Sequence, residues 1–275
     1  MLLKNEDFAD ASVYLRVLEK RMLNNDSVNR IADASGVSET LRLIAQNSEY
    51  EFSSLKRTAD YEDVLKETQK KLYETLYKLS KSKEIIDILS LKYDFHNLKT
   101  ALKAKFLGID AAGVYSAAGT FSVAAMKNYL TEKKRASDLP DFIYDAADAV
   151  LKAFEDNSDP QEIDILLDRQ LFARMISLCE EVKNEFITEY VRLSIDFYNI
   201  KTLMRVKNMQ KGTRFLGECL VPGGKAEKSF LLENYDKSPE TLAQVFYYKY
   251  FGDTVKKGME SYAKTGNFSY LEKLF

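Results

Sequence analysis

The sequence has few of the residues that interrupt helices. Its 275 residues include only four prolines and eleven glycines, and it has no tryptophan. Proline and glycine are the least favourable residues inside a helix, so their scarcity is typical of a helical protein. No run of alternating apolar and polar residues bounded by turn residues indicates a sheet. We therefore predict an all-α fold.

The residues that usually carry catalysis or bind metals are also scarce. His96 is the only histidine, and Cys179 and Cys219 are the only cysteines. The cysteines lie forty residues apart with no histidine nearby, so the spacing of a metal site is absent. We interpret both as reduced thiols, with Cys179 in the core, and a disulfide is the alternative. Phosphate-binding, zinc and Ser-His-Asp motifs are missing too, so we predict no catalytic residue, no cofactor and no metal.

Charge of one sign is not in excess. The sequence has 40 lysines and arginines against 42 acids, and its net charge is −2. This balance argues against a nucleic-acid partner and against a polybasic membrane patch. The longest uncharged stretch, residues 111–126, is too short to span a bilayer, and its small residues predict close helix–helix contact. The N-terminus turns acidic at once, so we predict no signal peptide and no direct membrane span.

A repeated helical segment is the most informative feature that is present. Residues 94–105 read DFHNLKTALKAK and residues 196–207 read DFYNIKTLMRVK. Six of the twelve positions are identical and four more are conservative, at an offset of 102 residues that also pairs apolar positions further upstream. Self-similarity of this kind predicts a chain built from copied helical units.

Clusters of glycine, proline and charge predict linkers at 132–141 and 211–226. These linkers divide the chain into three segments, which we predict to be helical units: 1–131, 142–210 and 227–275. Within them, Asp159-Pro160 and Ser238-Pro239 predict helix starts, because each pair places a capping residue before a proline.

The third segment resembles a partial copy of the second, because the pattern around Val150 recurs around Val255. The copy stops where the chain ends, so we predict a third unit that lacks its second half. Residues 241–260 carry apolar side chains at helical spacing, namely Leu242, Val245, Phe246, Tyr250, Val255 and Met259. We expect this apolar side to face water or to be covered by a neighbouring copy.

The repeated segment offers six structural positions: Asp94, Asn97, Lys99, Asp196, Asn199 and Lys201. We interpret the aspartates as members of ion pairs or as polar anchors, and the asparagines as buried hydrogen-bonding groups. The lysines, with Lys103 and Arg205, form a basic edge that is either a solvated face or a contact for acidic groups of a partner. His96 is interpreted as an ordinary helix residue, because its counterpart in the second copy is Tyr198.

Three segments resemble the C subunit of the V-type and A-type rotary ATPases, the family of the eukaryotic d subunit: residues 14–23, 93–105 and 196–207. The resemblance implies a threefold internal repeat of helical-bundle units around a funnel, with the third unit incomplete here. It also implies a non-catalytic central-stalk subunit of an ion-translocating ATPase. The expected partners are the central-shaft subunits and the proteolipid ring of the membrane sector. The expected location is cytoplasmic, peripheral on the membrane through those partners.

Two other classes of function stay open on the residues alone. A generic all-helical scaffold or adaptor of another repeat family would show the same periodicity. A helical enzyme with a site between repeats would need clustered acids or histidines on inner helix faces, and the sequence shows no such cluster.

Overall fold

The computed structural model describes residues 8–47, 61–157, 159–247, 249 and 252–273. Every regular element in these residues is a helix, which confirms the predicted all-α fold. None of these helices is long and apolar enough to cross a membrane. In chain order the α-helices are α1 (Ala9–Glu19), α2 (Asn25–Ala32), α3 (Val37–Asn47), α4 (Tyr61–Leu79), α5 (Lys83–Leu107), α6 (Val123–Glu132), α7 (Asp141–Asn157), α8 (Pro160–Val182), α9 (Glu185–Asn208), α10 (Thr213–Cys219), α11 (Lys228–Glu233), α12 (Pro239–Phe246), α13 (Gly252–Thr265) and α14 (Ser269–Lys273).

The helices form two compact units, with the boundary between Asp148 and Ala149. In the first unit α5 packs against α4 and α6, and α2 packs against α3. In the second unit α9 packs against α8 and α10, α10 contacts α11, and α12, α13 and α14 pack in succession. One long helix, α5 or α9, is therefore central to the packing of each unit.

The two long helices carry the two copies of the repeated segment. They begin 102 residues apart, at Lys83 and Glu185. Their apolar stripes are buried, since Leu98 is 1% exposed and Ile200 is 0% exposed.

Both cysteines of the chain are buried and free, in agreement with the interpretation as reduced core thiols.

Capping residues set the starts of several helices as predicted. Asp159 accepts a hydrogen bond from the N–H of Gln161 at the start of α8, and Ser238 accepts one from Thr241 at the start of α12. Proline occupies the first turn in both helices, where its missing N–H would have had no helical partner. Asn184 caps α9 in the same way, by accepting a hydrogen bond from an N–H three residues along.

One of the two predicted linkers is wrong. Residues 133–140 do connect α6 to α7, but residues 211–226 contain helix α10 and a loop that packs into the core. Leu216 is 0% exposed and Val221 is 3% exposed. Two of the glycines that suggested a flexible linker, Gly223 and Gly224, instead pack closely against side chains of α9.

The prediction of helix–helix contact through residues 111–126 is also wrong. Most of this stretch connects α5 to α6 as a loop with one 3-10 turn, Ala112–Val114, and α6 starts only at Val123. The small residues bring the backbone of this loop close to side chains of α5.

The apolar side of residues 241–260 does not face water. Four of its members are each 0% exposed: Leu242, Phe246, Val255 and Met259. They belong to a core cluster that also contains buried residues of α9, α10 and α11. Val245 packs against the same cluster, and Tyr250 lies outside the described residues. The expected uncovered surface is therefore wrong, because earlier helices of the same unit supply the cover.

Candidate functional site

A buried asparagine on α5 fixes one end of residues 116–121, which form part of the loop between α5 and α6. The Asn97 side-chain Nδ2 donates to the Ser116 carbonyl at 3.0 Å, and the Ser116 N–H donates to Asn97 Oδ1 at 2.8 Å. Asn97 is 1% exposed. Through these two hydrogen bonds, the amide NH2 and oxygen of Asn97 and the carbonyl and N–H of Ser116 each gain a partner. The geometry therefore gives Asn97 a fixed structural contact.

The aspartate one turn earlier fixes the other end of the same loop. Asp94 Oδ1 accepts a hydrogen bond from the Phe121 N–H, and Asp94 Oδ2 accepts one from the Thr120 hydroxyl, both at 2.9 Å. Asp94 is 1% exposed. We call residues 116–121, which run between these contacts, the first anchored loop.

The second unit repeats this arrangement on α9. Asn199 Nδ2 donates to the Val221 carbonyl at 2.7 Å, and the Val221 N–H donates to Asn199 Oδ1 at 2.9 Å. Asp196 accepts hydrogen bonds from the N–H groups of Lys225 and Ala226, both at 2.9 Å. We call residues 221–226 the second anchored loop. The two loops have equal length, although their sequences are SAAGTF and VPGGKA.

One glycine holds the same place in both loops, and in both it allows a close approach. A Cβ at Gly119 would lie 2.7 Å from Asn97 Nδ2 and 2.9 Å from Asp94 Oδ1. A Cβ at Gly224 would overlap the Asp196 carboxylate. Sequence reasoning missed both loops. The signal available in the sequence was a glycine at a similar distance after each asparagine: Gly119 lies 22 residues after Asn97, and Gly224 lies 25 residues after Asn199.

The buried carboxylates have shifted pKa values. Burial raises the pKa of Asp94 to about 6, and the nearby Asp87 adds to the rise, while hydrogen bonds from Phe121 and Thr120 oppose it. Burial raises the pKa of Asp196 as well. There the N–H donors of the loop and the positive charge of Lys225 oppose the rise. Desolvation is thus the main effect at both anchors.

The basic edge of α9 is met by an acid of the same chain. Lys201 donates to Glu272 of α14 at 2.7 Å, and this contact lowers the pKa of Glu272. The Arg205 guanidinium lies 5.8 Å from the centre of the Phe268 ring. On α5, Lys99 is half-buried. The lysines are therefore separate from the anchors, and Lys201 is not part of a purely solvated face.

His96 contacts the loop backbone, and the described residues contain no cluster of metal ligands. His96 Nε2 lies 3.0 Å from the Val114 carbonyl, as an ordinary hydrogen-bonding partner. Among the described residues, no three His, Cys, Asp or Glu side chains come together in a way that could hold a metal ion. Four of the six structural positions, Asp94, Asn97, Asp196 and Asn199, thus form one polar anchor in each unit, while Lys99 and Lys201 lie outside these anchors.

Fold and anchors together define a class: an all-helical protein in which buried polar side chains of long helices hold loops in place. The family model described as ATP synthase (C/AC39) subunit matches residues 11–275, and the chain belongs to this family. This finding confirms the resemblance carried by the repeated segment.

Curated relatives share modest identity over most of the chain. The C subunit of the V-type sodium ATPase of Enterococcus hirae is 24% identical over 229 residues, which covers 82% of this chain and 69% of the relative. The C subunit of the A-type ATP synthase of Thermococcus kodakarensis is 23% identical over 287 aligned positions, with 100% and 76% covered. The corresponding A-type ATP synthase protein of a Desulfurococcus species is 24% identical over 269 residues, with 94% and 72% covered.

Proposed function

We propose that this chain is a non-catalytic coupling subunit in the central stalk of a V/A-type rotary ATPase. In this role it links the rotating shaft to the proteolipid ring of the membrane sector, during ATP-driven ion transport or ATP synthesis. The observation that carries the proposal is the family match through residues 11–275. The relatives named as C subunits of V-type and A-type enzymes support it.

The anchored loops suit a part that passes torque. Close-packed interiors have low compressibility and transmit strain, so a well-packed helical unit moves as a body. Loops are usually the softest parts of such a unit. Here both ends of each loop are bonded to side chains that are at most 1% exposed. Breaking such a contact leaves buried polar groups without partners, which costs about 1–3 kcal/mol for each group.

The proposed partners are the central-shaft subunits on one side and the proteolipid ring on the other. The chain would lie at the cytoplasmic face and reach the membrane only through these partners. The described helices are compatible with this placement, because none of them could span a bilayer.

Co-purification tests the proposal. The tagged full chain is produced together with the other subunits of the rotary ATPase from its own source, and its bound subunits are identified by mass spectrometry. We expect both shaft and proteolipid subunits in the purified complex. A generic scaffold would bring neither, and that result would overturn the proposal. As a control, the surface variant Asn128→Ala, whose side chain is exposed on α6, should retain the same subunits as wild type.

A further inference from the structure

The two anchors share a hydrogen-bonding pattern but differ in the charges around the carboxylate. The first anchored loop, residues 116–121, contains no ionisable side chain. The second loop contributes Lys225, whose ammonium pairs with Glu189 of α9. The charge of Lys225 favours the anionic form of Asp196, and the smaller effect of the Glu189 charge opposes it. The first loop therefore supplies no positive charge to Asp94, whereas the second loop supplies that of Lys225 to Asp196.

The surroundings of Asp94 include groups of α5, α4 and the loop itself, and α7 packs against the end of that loop. On its own helix, Asp87 is a second carboxylate whose charge disfavours an anionic Asp94. From α4, the Tyr77 hydroxyl donates to Asp87 at 2.6 Å, and burial keeps that phenol protonated by raising its pKa. From α7, the Phe142 ring packs 5.8 Å from the ring of Phe121 at the end of the loop. In the described part of the chain, no lysine or arginine is among the main causes that set the pKa of Asp94.

The contact between Asp94 and Thr120 can work in both charge states. When Asp94 is anionic, the Thr120 hydroxyl donates to Oδ2 at 2.9 Å. When Oδ2 carries a proton, the new O–H can donate to Thr120 Oγ1, because a hydroxyl rotates freely and also accepts. Oδ1 still accepts the N–H of Phe121 in either state. The neutral form therefore keeps both contacts and avoids a buried charge beside Asp87.

We propose that Asp94 and Thr120 form a proton-responsive latch on the first anchored loop, in which proton uptake by Asp94 favours the closed loop and deprotonation favours its opening. The second anchored loop responds less, because the charge of Lys225 stabilises the anionic carboxylate of Asp196. Its Oδ2 also meets the backbone N–H of Lys225, which, unlike the Thr120 hydroxyl, can only donate. The latch is independent of the proposed function, since it concerns only the chain itself.

Linkage gives the direction and size of the response. The pKa of Asp94 is about 6 in the closed loop and has its ordinary value of 3.8 when solvated. Because the closed state binds the proton more tightly, the added stability of the closed loop is complete below pH 3.8. It is lost as the pH rises through 6. A shift of this size changes the opening equilibrium by up to about a hundredfold.

Amide hydrogen exchange tests the latch within one protein. The opening equilibria of the Phe121 and Ala226 amides are measured from pH 4 to pH 7 and corrected for the intrinsic pH dependence of exchange. Opening at Phe121 should increase by about fiftyfold across this range, and opening at Ala226 should change less. The variant Asp94→Asn should abolish the pH response at Phe121 only. A flat response at Phe121, or one equal to that at Ala226, would overturn the proposal.

If Asp94→Asn fails to fold, the latch is tested instead by following the titration of the Asp94 carboxyl with carbon NMR. In the wild-type chain the Asp94 carboxyl should titrate with a midpoint near 6, well above its ordinary value. Thr120→Ser keeps the hydroxyl and should leave the midpoint in place. Thr120→Val removes a donor to the anion and should raise it. An Asp94 midpoint close to 3.8 would show that the latch does not exist.

Discussion

Asn97 and Ser116 exchange two hydrogen bonds of 3.0 and 2.8 Å across a sequence separation of nineteen residues. The contact ties a loop to the long helix that precedes it. The equivalent pair in the second unit, Asn199 and Val221, exchanges bonds of 2.7 and 2.9 Å. The repetition of the sequence is therefore matched by a repeated polar contact, which in each unit ties a loop to the long helix.

Truncation of the first asparagine should destabilise the chain. Asn97→Ala removes the side-chain partner of the carbonyl and N–H of the half-buried Ser116, at a cost of about 1–3 kcal/mol. Urea unfolding measures the change in the free energy of unfolding. The matched control is Asn128→Ala, because Asn128 is exposed on α6. Equal unfolding midpoints for the two variants would show that the Asn97 contact carries no stability.

Addition of a methyl group at the loop glycines should also destabilise the chain. Gly119→Ala and Gly224→Ala each place a Cβ against the anchoring side chains. Overpacking of this kind costs about 1–3 kcal/mol. Gly113→Ala is the control, since a Cβ at Gly113 would meet nothing within 4 Å. If the alanine variants at Gly119 and Gly113 melt at the same temperature, the loop does not approach α5 as closely as the structure shows.

A charge on the stripe of either long helix should unfold the unit that contains it. Leu98 and Ile200 are 1% and 0% exposed, and an unpaired carboxylate buried at either position costs several kcal/mol. Leu98→Asp and Ile200→Asp should therefore lower the thermal midpoint strongly. Leu107→Asp, on the same helix as Leu98 but at a position 62% exposed, should have little effect. A wild-type midpoint in the Leu98 variant would contradict the packing of α5.

The purified chain should not hydrolyse ATP on its own. The sequence has no phosphate-binding loop, and the proposal assigns nucleotide chemistry to other subunits of the assembly. Phosphate release by the pure chain is measured with and without ATP. Turnover above the background, lost on a single substitution in this chain, would place a catalytic site here and reject the coupling role.

Local patterns in the sequence predicted the helices, the capped starts at Asp159 and Ser238, and the family. These features depend on spacing within a few residues, which a sequence displays directly. The anchored loops were missed because their partners lie about 20–30 residues away, and the two hexapeptides share only one glycine. The glycines of residues 211–226 were interpreted as a linker for the same reason, since only the fold shows what they approach.

The apolar side of residues 241–260 illustrates a second kind of error. Its helical spacing was clear, but the spacing does not reveal which helix covers it. The structure supplies that cover from α9, α10 and α11, and leaves Phe246 and Met259 with 0% exposure. Tertiary packing between segments distant in sequence, and not local pattern, decided the outcome.

Coupled ion transport is the most direct test of the central claim. Vesicles containing the complete rotary ATPase are compared with vesicles that lack only this chain, and ATP hydrolysis and ion transport are measured together. We predict that hydrolysis continues without the chain, that transport falls to the background, and that added purified chain restores transport. Vesicles that lack the chain and still transport ions at the wild-type ratio to ATP hydrolysed would contradict the coupling role.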